Sequence, residues 1–302
     1  MVYALKMAYL NFVTHCLAGT VKPLRFLVLI FCRLSISFFC GLLTPQTLFA
    51  GQAQGFNTSS SQSLAAEFSR QVSPRLLPPK NVQISYAQGL QNALELAGIK
   101  VATPQYVVLV DRNPYVQAVF LYFGSTQAGW IFIGASPAST GLPGEFDHFL
   151  TPLGVFEHSL ANLDFRAEGT KNEFGFRGYG EKGMRVYDFG WVQSEQGWGK
   201  RGMSEMRLQM HTTDPQFAEP LLGIPRSKGC IRIPGTLNDF IDRYGLLDAD
   251  YALAQEQGRR FWVIRPDRTP VHDPGRYLIV INSVGSTRPL WSPLPKAGKL
   301  NK

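Results

Sequence analysis

The sequence predicts a mainly β protein with a few short helices, of the α+β class. The chain contains 29 glycines and 20 prolines among 302 residues, and so many turn-forming residues favour short strands over a helix bundle. Strand-like apolar patterns recur between residues 106 and 210, whereas helical stripes are few and short. Hydrophobic residues make up 45% of the chain and charged residues only 17%, which excludes an intrinsically disordered protein.

The first 50 residues are predicted to direct export. Basic residues precede an apolar stretch at Leu34–Phe49, and the small residues that follow suit cleavage by a signal peptidase after Ala50 or Ala53. An uncleaved membrane anchor is the alternative, because Phe26–Leu43 is nearly long enough to span a bilayer, although a basic residue interrupts it. Both interpretations place the rest of the chain in the periplasm or cell envelope, and the second adds an association with the inner membrane.

The remaining chain is predicted to comprise a linker, one domain and a tail. Residues 51–80 are rich in Ser, Gln and Pro, which is typical of a linker with at most a short helix around Leu64–Val72. Residues 81–285 hold the regular patterns and are expected to form one folded domain. Residues 286–302 contain Pro and Lys and are expected to be loose.

The domain is predicted to begin with a helix and then paired strands. Ser85–Ala97 combines a capping-box pair, Ser85 with Gln88, an apolar stripe and a closing Gly98. Three strands are predicted next, at Tyr106–Val110, Val116–Phe123 and Trp130–Ala135. The first two flank Asp111–Pro114, which indicates a hairpin or short loop.

A second group of elements leads towards the middle of the domain. Thr151–Phe156 contains a proline and a glycine that shape a bend, and its phenylalanine is expected to be buried. A strand at Met184–Val192 is followed by Gln193–Met203, predicted to be a mobile loop that covers a peptide substrate through Trp191 or Trp198. A plain surface loop anchored by one tryptophan is the alternative.

A half-buried strand precedes a histidine. Alternation places one set of residues on each face: Met206, Leu208 and Met210 against Arg207, Gln209 and His211. His211 is therefore expected at the end of the strand on its polar side, where a general base is useful. A helix at Thr236–Tyr244, capped by Thr236 and ended by Gly245, follows, and Phe261–Ile264 and Tyr277–Asn282 predict closing strands.

Cysteine usage singles out one thiol. Cys16, Cys32 and Cys40 all fall within residues 1–50, so the exported protein is expected to keep Cys230 and no internal disulfide. A lone cysteine in an exported protein is either a small buried hydrophobic residue or a reactive group.

The charge balance argues against nucleic acid as a partner. The net charge of +8 comes partly from the first 50 residues, which contain four basic residues and no acidic one. The mild excess that remains suits an anionic cell envelope. No basic run is interleaved with aromatic residues, and no nucleic-acid recognition motif is present.

The segment His211–Pro234 carries the motif around which the rest is organised. Fifteen residues separate His211 from the run Ser-Lys-Gly-Cys-Ile-Arg, residues 227–232. This resembles the signature of the L,D-transpeptidase (YkuD-type) family, a histidine followed after a similar gap by Ser/Thr-His-Gly-Cys, with Lys228 in place of the second histidine. The likeness extends over much of residues 104–234, including a Ser-Thr-Gly stretch and Thr-Pro-x-Gly-x-Phe. It implies a YkuD-type β-sandwich or barrel catalytic domain.

Cysteine and histidine together are the minimum set for thiol catalysis, in which the thiolate attacks and an imidazole takes and returns the proton. Cys230 is predicted as the nucleophile and His211 as the general base. Amide N–H groups at Gly229 and Cys230 are predicted to stabilise the oxyanion, and Ser227 belongs to the same catalytic motif. Thr212, the threonine after it or a backbone carbonyl is expected to orient the imidazole.

Cations surround the predicted nucleophile. Arg226, Lys228 and Arg232 alternate with Cys230 and are expected to favour its thiolate. A guanidinium at Arg232 also suits a substrate carboxylate, and a structural salt bridge or surface charge is the alternative. Lys228 keeps the charge of a protonated histidine but cannot accept a hydrogen bond when protonated. The predicted substrate-binding set is Arg232, Lys228, Thr212 and Trp191.

The family resemblance supplies the expected substrate and its alternatives. Such enzymes use the cysteine to attack the amide after the L-centre of diaminopimelate in a peptidoglycan tetrapeptide stem, release D-alanine and pass the acyl group to an amine. A covalent carbapenem adduct on Cys230 is expected on the same basis. Two alternatives stay open: an L,D-carboxypeptidase or other hydrolase, which gives the acyl group to water, and a non-catalytic wall-binding protein that kept the fold.

The other histidines do not predict a metal site. His148, His158 and His272 are not accompanied by cysteines or carboxylates at ligand spacing. No metal and no cofactor is therefore expected.

Overall fold

The computed structural model describes residues 58–295, which form an α+β fold built on two mixed sheets. The predicted export segment, with its three cysteines and cleavage positions, lies outside the described residues, as do residues 296–302. Neither sheet closes into a barrel within the described range. In the same part of the chain, no helix combines the length and apolar character needed to cross a bilayer.

The elements follow one another in a regular order. The strands are β1 (Gln105–Asp111), β2 (Ala118–Ser125), β3 (Gly129–Pro137), β4 (Gly154–Glu157), β5 (Phe165–Arg166), β6 (Arg185–Glu195), β7 (Met203–His211), β8 (Ile231–Arg232) and β9 (Tyr277–Ile281). The α-helices are α1 (Thr58–Gln71), α2 (Lys80–Leu96), α3 (Gly235–Tyr244) and α4 (Ala249–Glu256), and a 3₁₀ turn covers Glu219–Leu221.

The five-stranded sheet has the order β3-β2-β1-β9-β4 and is buried on both faces. Strand β1 pairs antiparallel with β2 and parallel with β9, so distant parts of the chain lie side by side. Tyr106, Val108 and Val110 enter one apolar cluster, while Val107 and Leu109 enter a second on the opposite face. This division follows from the twofold alternation of side chains along a strand.

The four-stranded sheet has the order β5-β6-β7-β8. Strands β6 and β7 form a long antiparallel hairpin, and the short β8 runs parallel to β7. Met206, Leu208 and Met210 enter the first apolar cluster together with residues of β1 and β2, as the alternation predicted. Because both sheets contribute to that cluster, the opposite face of the four-stranded sheet is left for polar side chains.

The strands predicted at 106–110, 116–123, 130–135, 184–192 and 277–282 are confirmed within a few residues. The strand predicted at Phe261–Ile264 is wrong. The Ile264 N–H donates to the Phe261 carbonyl at 3.1 Å within a turn, so this run does not join a ladder. Phe156 is only half-buried, although it packs against the first cluster.

Helix α1 corrects the predicted linker. Residues 58–71 are helical, and Leu64, Phe68 and Val72 are buried in the first cluster with exposures of 5%, 2% and 1%. The Phe68 ring meets Phe240 of α3 edge-on at 5.4 Å. Residues spaced by four lie on one helix face, so three apolar positions anchor a segment whose overall composition is that of a linker.

Helix starts were predicted less well than helix ends. Helix α2 begins at Lys80 with Pro79 as its N-cap, so Ser85 lies inside the helix and the expected capping box does not form. Helix α3 follows Pro234 rather than starting at a Thr236 cap, and the Thr236 hydroxyl donates to the Ser73 carbonyl instead. Glycines end both helices as predicted, Gly98 at φ +67° and Gly245 at φ +59°. Helix α4 was not predicted.

The described part of the predicted loose tail is ordered against the domain. The Trp291 ring lies 5.9 Å from those of Tyr86 and Phe120. Ser292 is buried, and its hydroxyl donates to the Val116 carbonyl at 2.7 Å. The expectation of looseness is therefore wrong for residues 286–295, because one tryptophan gives this Pro-containing segment an apolar anchor.

Candidate active site

The register of β7 against β8 brings the predicted nucleophile and base to one face. His211 pairs with Arg232 and Met210 with Ile231. Met210 and Ile231 are buried in the core, so His211, Arg232 and the residue before Ile231, Cys230, face the other way. With strands about 4.8 Å apart and about 3.3 Å per residue, the Cα atoms of Cys230 and His211 lie about 8 Å apart. Among the described residues, Cys230 Sγ contacts the Arg207 carbonyl, and no hydrogen bond joins it to the His211 ring.

His211 is held in one tautomer. The ring is only 5% exposed, and its Nδ1 contacts the Thr212 carbonyl oxygen. Because a carbonyl can only accept, Nδ1 carries the hydrogen and Nε2 keeps its lone pair. Burial, and then the charge of Arg232, lowers the pKa of His211 to about 3. The resting imidazole is therefore neutral, with the lone pair on Nε2, and burial makes it a weaker base than a free imidazole.

Thr212 orients the imidazole through its backbone rather than its hydroxyl. The hydroxyl donates to the Tyr179 carbonyl at 2.8 Å. The Tyr179 ring in turn meets the His211 ring edge-on at 4.7 Å. Of the two options left open by the sequence, the backbone carbonyl is the one present, while the side chain fixes the neighbouring tyrosine.

Cys230 is a half-buried thiol. Its Sγ donates to the Arg207 carbonyl at 3.7 Å and accepts a hydrogen bond from the Gln209 N–H. The thiol therefore binds two backbone groups at the edge of β7. Burial raises the pKa of Cys230, while the Gln209 N–H and Arg232 oppose that rise. The resting group is a thiol, which means that a base has to remove its proton before attack.

Of the three cations predicted to favour the Cys230 thiolate, one acts on it in the structure. Arg232 favours the thiolate. Lys228 instead extends to the surface, where its Nζ lies 3.2 Å from the Asp147 carboxylate and both side chains are mostly exposed. Arg226 is exposed, and its carbonyl accepts from Arg232 Nη1 at 3.2 Å. The sequence around Cys230 did not predict this ion pair, because Asp147 lies 81 residues before Lys228.

The loop at residues 227–230 is fixed by hydrogen bonds of its own. The Gly229 N–H donates to Ser227 Oγ at 3.1 Å, and Ser227 Oγ donates to the Cys230 carbonyl. Gly229 N–H is thus already engaged, which corrects its predicted role as a free oxyanion donor. The Cys230 N–H makes no protein hydrogen bond among residues 58–295, so it is the donor that remains. Thr151, to which the sequence assigned no chemistry, donates through Oγ1 to the Gly229 carbonyl at 2.6 Å.

Glycine is required at position 229. Its φ is +129°, a conformation that side chains rarely adopt, and an added Cβ would lie 2.9 Å from the Met206 side chain and 3.1 Å from Phe149. The residue therefore allows the loop to turn tightly over the core just before Cys230.

Arg232 has no carboxylate partner. No Asp or Glu oxygen of the described residues lies within 4.0 Å of its guanidinium, and its buried Nε makes no hydrogen bond. The Phe176 ring lies 6.0 Å away. Burial lowers the pKa of Arg232, which is the direction expected when a charge lacks a counterion. The alternative of a structural salt bridge is not what the geometry shows.

Sequence reasoning missed the polar network beside the thiol. Asp188 is fully buried, and its Oδ2 accepts from Arg207 Nε and Gln209 Nε2, both at 2.8 Å. Gln209 Oε1 accepts from the Tyr179 hydroxyl at 2.9 Å. The alternation of β7 had placed Arg207 and Gln209 on the face of His211, and that was the available signal. Nothing in the sequence pattern indicated Asp188 or Tyr179.

The predicted lid over Gln193–Met203 is wrong in extent. Gln193–Glu195 and Met203 are paired in the β6–β7 ladder, so only residues 196–202 form a loop. Trp198 packs edge-on against Phe149 at 4.9 Å, an anchored arrangement. Trp191 lies on β6 opposite Arg207, 64% exposed, with the guanidinium 6.0 Å from the ring centre. Trp191 is thus on the face of the candidate site, whereas Trp198 is not free to close over it.

A cleft of 490 Å³ adjoins the site and shares Tyr179 with it. Its walls include Phe165, Arg166 and the exposed Trp262. Cys230, His211 and Arg232 are not among the residues that line it. Among residues 58–295, no group of three or more His, Cys, Asp or Glu side chains is arranged to hold a metal ion.

Comparison with known proteins assigns no family to the chain. No protein-family model matches it, and a search of curated proteins finds no match. The functional argument therefore depends on the motif and on the geometry of the residues around Cys230.

Proposed function

We propose that the chain is an exported cysteine acyltransferase of the L,D-transpeptidase type that acts on peptidoglycan stem peptides. In this proposal the two-sheet α+β fold is a YkuD-type catalytic domain located in the periplasm or cell envelope. One observation carries it: Cys230, His211 and Arg232 share a face of the four-stranded sheet, and His211 is neutral with Nδ1 bound to a backbone carbonyl. That arrangement supports the proposed roles of nucleophile, base and anion-binding group.

The first half of the reaction forms a thioester. His211 Nε2 takes the Cys230 proton as the sulfur attacks the carbonyl carbon of the scissile amide, giving an imidazolium and a tetrahedral oxyanion. The Cys230 N–H is the protein donor left to bind that oxygen. When the carbon–nitrogen bond breaks, the imidazolium gives its proton to the leaving amine. The buried site resists the charged imidazolium, so this return of the proton is favourable.

The second half transfers the acyl group. An acceptor amine gives a proton to His211 as its nitrogen attacks the thioester carbon, and the sulfur leaves and recovers its proton from the imidazolium. An amide results in a transferase. Water in place of the amine yields a carboxylic acid and makes the protein an L,D-carboxypeptidase or other hydrolase.

Arg232 is proposed to bind a substrate carboxylate. Its guanidinium faces the site without a protein counterion, and the buried Nε is unpaired. A carboxylate bound at the terminal nitrogens would supply the counterion that the protein does not. Arg232 is also the cation that favours the Cys230 thiolate. One side chain would therefore both bind the substrate carboxylate and help to activate the thiol.

The test is mass spectrometry of the protein after incubation with tetrapeptide-bearing muropeptides and, separately, with a carbapenem. We expect a covalent adduct on Cys230 in both cases, absent from Cys230→Ala. Cross-linked muropeptide dimers would identify transfer, and tripeptides would identify hydrolysis. Unmodified protein that nevertheless binds muropeptides would overturn the proposal in favour of a non-catalytic wall-binding protein.

A further inference from the structure

The site face carries a second guanidinium, on the opposite side of the thiol from Arg232. Arg207 lies two residues before Gln209 on β7 and His211 lies two after it, while Cys230 precedes the Ile231 that pairs with Met210. The thiol therefore sits level with Gln209, between the two arginines. At about 3.3 Å per residue, the backbone positions of Arg207 and His211, and hence of Arg232, are separated by about 13 Å.

Arg207 is built into the sheet rather than attached loosely to its surface. Its Nε donates at 2.8 Å to Asp188, whose side chain is 1% exposed and is held in addition by Gln209 Nε2 and the Gly190 N–H. Trp191, directly across the ladder, lies beside the guanidinium. Among the described residues, the terminal nitrogens of Arg207 have no hydrogen-bond partner. Within residues 58–295, both terminal nitrogens thus stay free at the end of an arginine whose Nε is fixed.

The position of His211 gives the bound peptide a direction. The imidazole has to reach the leaving nitrogen to return its proton, so the leaving residue lies over His211 and next to Arg232. The acyl part then extends the other way along the sheet, towards Arg207 and Trp191. Two guanidinium groups on either side of one thiol match a substrate with a carboxylate on each side of the scissile bond.

We propose that Arg207, supported by Asp188 and Trp191, selects acyl donors that carry a carboxylate on the side chain of the residue before the scissile amide, while Arg232 takes the carboxylate of the leaving residue. The inference rests on the proposed function for the identity of the peptide. It adds a specificity-determining residue outside the Ser-Lys-Gly-Cys-Ile-Arg motif. Backbone positions of Arg207 and Cys230 about 8 Å apart leave room for a side chain of several carbon atoms between the scissile carbonyl and the guanidinium.

The experiment measures binding to the Cys230→Ala protein, which cannot turn the peptide over. The probes are two synthetic tetrapeptides with diaminopimelate before the terminal D-alanine, one with the side-chain carboxyl free and one with it amidated. A third has the terminal carboxyl amidated. Each is titrated against the background protein and against added Arg207→Gln, Arg207→Lys and Arg232→Gln substitutions. Arg75→Gln is the matched control, since Arg75 is exposed and makes no ion pair in the described residues.

We expect Arg207→Gln to weaken the binding of the peptide with a free side-chain carboxyl by about tenfold. The same substitution should abolish the preference for that peptide over the side-chain-amidated one. Arg207→Lys should retain part of that preference, and Arg75→Gln all of it. The penalty for amidating the terminal carboxyl should persist in Arg207→Gln and disappear in Arg232→Gln. Thermal unfolding of each variant checks that Asp188 stays buried without its partner.

Equal weakening of the free and side-chain-amidated peptides by Arg207→Gln, or no measurable binding of either peptide to the background protein, would overturn the inference. Its failure is distinct from that of the proposed function. An acyl-enzyme formed by wild-type protein with no role for Arg207 refutes only the inference. Carboxylate-dependent binding through Arg207 without any acyl-enzyme refutes only the transferase proposal.

Discussion

A buried histidine behind the site makes a pH-dependent prediction. His158 is fully buried, and both ring nitrogens face acceptors: Nδ1 lies 2.7 Å from the Leu247 carbonyl and Nε2 lies 2.8 Å from Asp164 Oδ1. A ring that donates from both nitrogens is an imidazolium. Burial alone would lower the pKa of His158, but the charge and hydrogen bond of Asp164 outweigh burial and raise it.

The same carboxylate links His158 to the candidate site. Asp164 Oδ1 also accepts the Asp188 backbone N–H at 3.0 Å, and Asp164 Oδ2 accepts Arg185 Nε at 2.7 Å. Replacing His158 by glutamine removes a charge from a buried pair, and such losses cost about 3–5 kcal/mol. Because Arg185 and the Asp188 N–H remain on Asp164, we expect the lower end, about 3 kcal/mol of unfolding free energy.

The sign of the pH dependence follows from the raised pKa. The folded protein holds the His158 proton above the unfolded pKa of about 6.5, so its stabilisation is complete below that pH and is lost as pH rises through the folded value. The slope is at most about 1.4 kcal/mol per pH unit. The lowered pKa of His211, about 3, decreases the unfolding free energy only at acid pH. The raised pKa of Cys230 decreases the unfolding free energy only above the unfolded pKa of about 8.5.

Urea unfolding between pH 6.5 and 8 therefore isolates His158. We expect wild-type stability to fall across this window and His158→Gln to start lower and stay nearly flat. His272→Gln is the control, because that side chain is 95% exposed. Parallel curves for wild type and His158→Gln would show that the ring is not the charged double donor inferred from its contacts.

Three further predictions concern the site and the fold. His211→Ala should slow acylation of Cys230 by about 10²–10⁴-fold without unfolding the protein, as followed by mass spectrometry over time; an unchanged rate would remove His211 as the base. Gly229→Ala should lower the melting temperature and abolish acylation, because its Cβ would meet Met206 at 2.9 Å. Gly129→Ala, with positive φ but open space, is the matched control, and equal losses would contradict the packing argument. Phe68→Ala should cost about 3–5 kcal/mol in urea unfolding, whereas Leu96→Ala at a 90% exposed position should cost under about 0.5 kcal/mol; similar values would mean that α1 does not hold the core.

Local patterns predicted what depends on neighbours in sequence. Alternation over residues 206–210 was enough to place His211 on the polar face, and positive-φ glycines marked the ends of α2 and α3. The composition of residues 51–80 predicted a linker with at most a short helix around Leu64–Val72, because many Ser and Gln residues outweigh three well-spaced apolar ones, and the full extent of α1 was missed. The position of Asp188 under Arg207 depends on the β6–β7 register, which contains an irregularity between Asp188 and Trp191. The alternation of side chains along a single strand does not predict a register shift between two strands.

The lysine at position 228 narrows the chemistry that the site can perform. Its ammonium is paired with Asp147 at the surface, where solvent and salt weaken its effect on a half-buried sulfur. The positive charge that acts on the thiol comes from Arg232 instead, two residues after Cys230. Under the proposed function, one imidazole would remove the thiol proton and deliver it to the leaving nitrogen, and neutral His211 with Nδ1 fixed by Thr212 has one nitrogen left for both steps. In the proposed reaction, attack and departure would therefore take place beside His211 and its register partner Arg232, and the acyl portion of the peptide would extend towards Arg207.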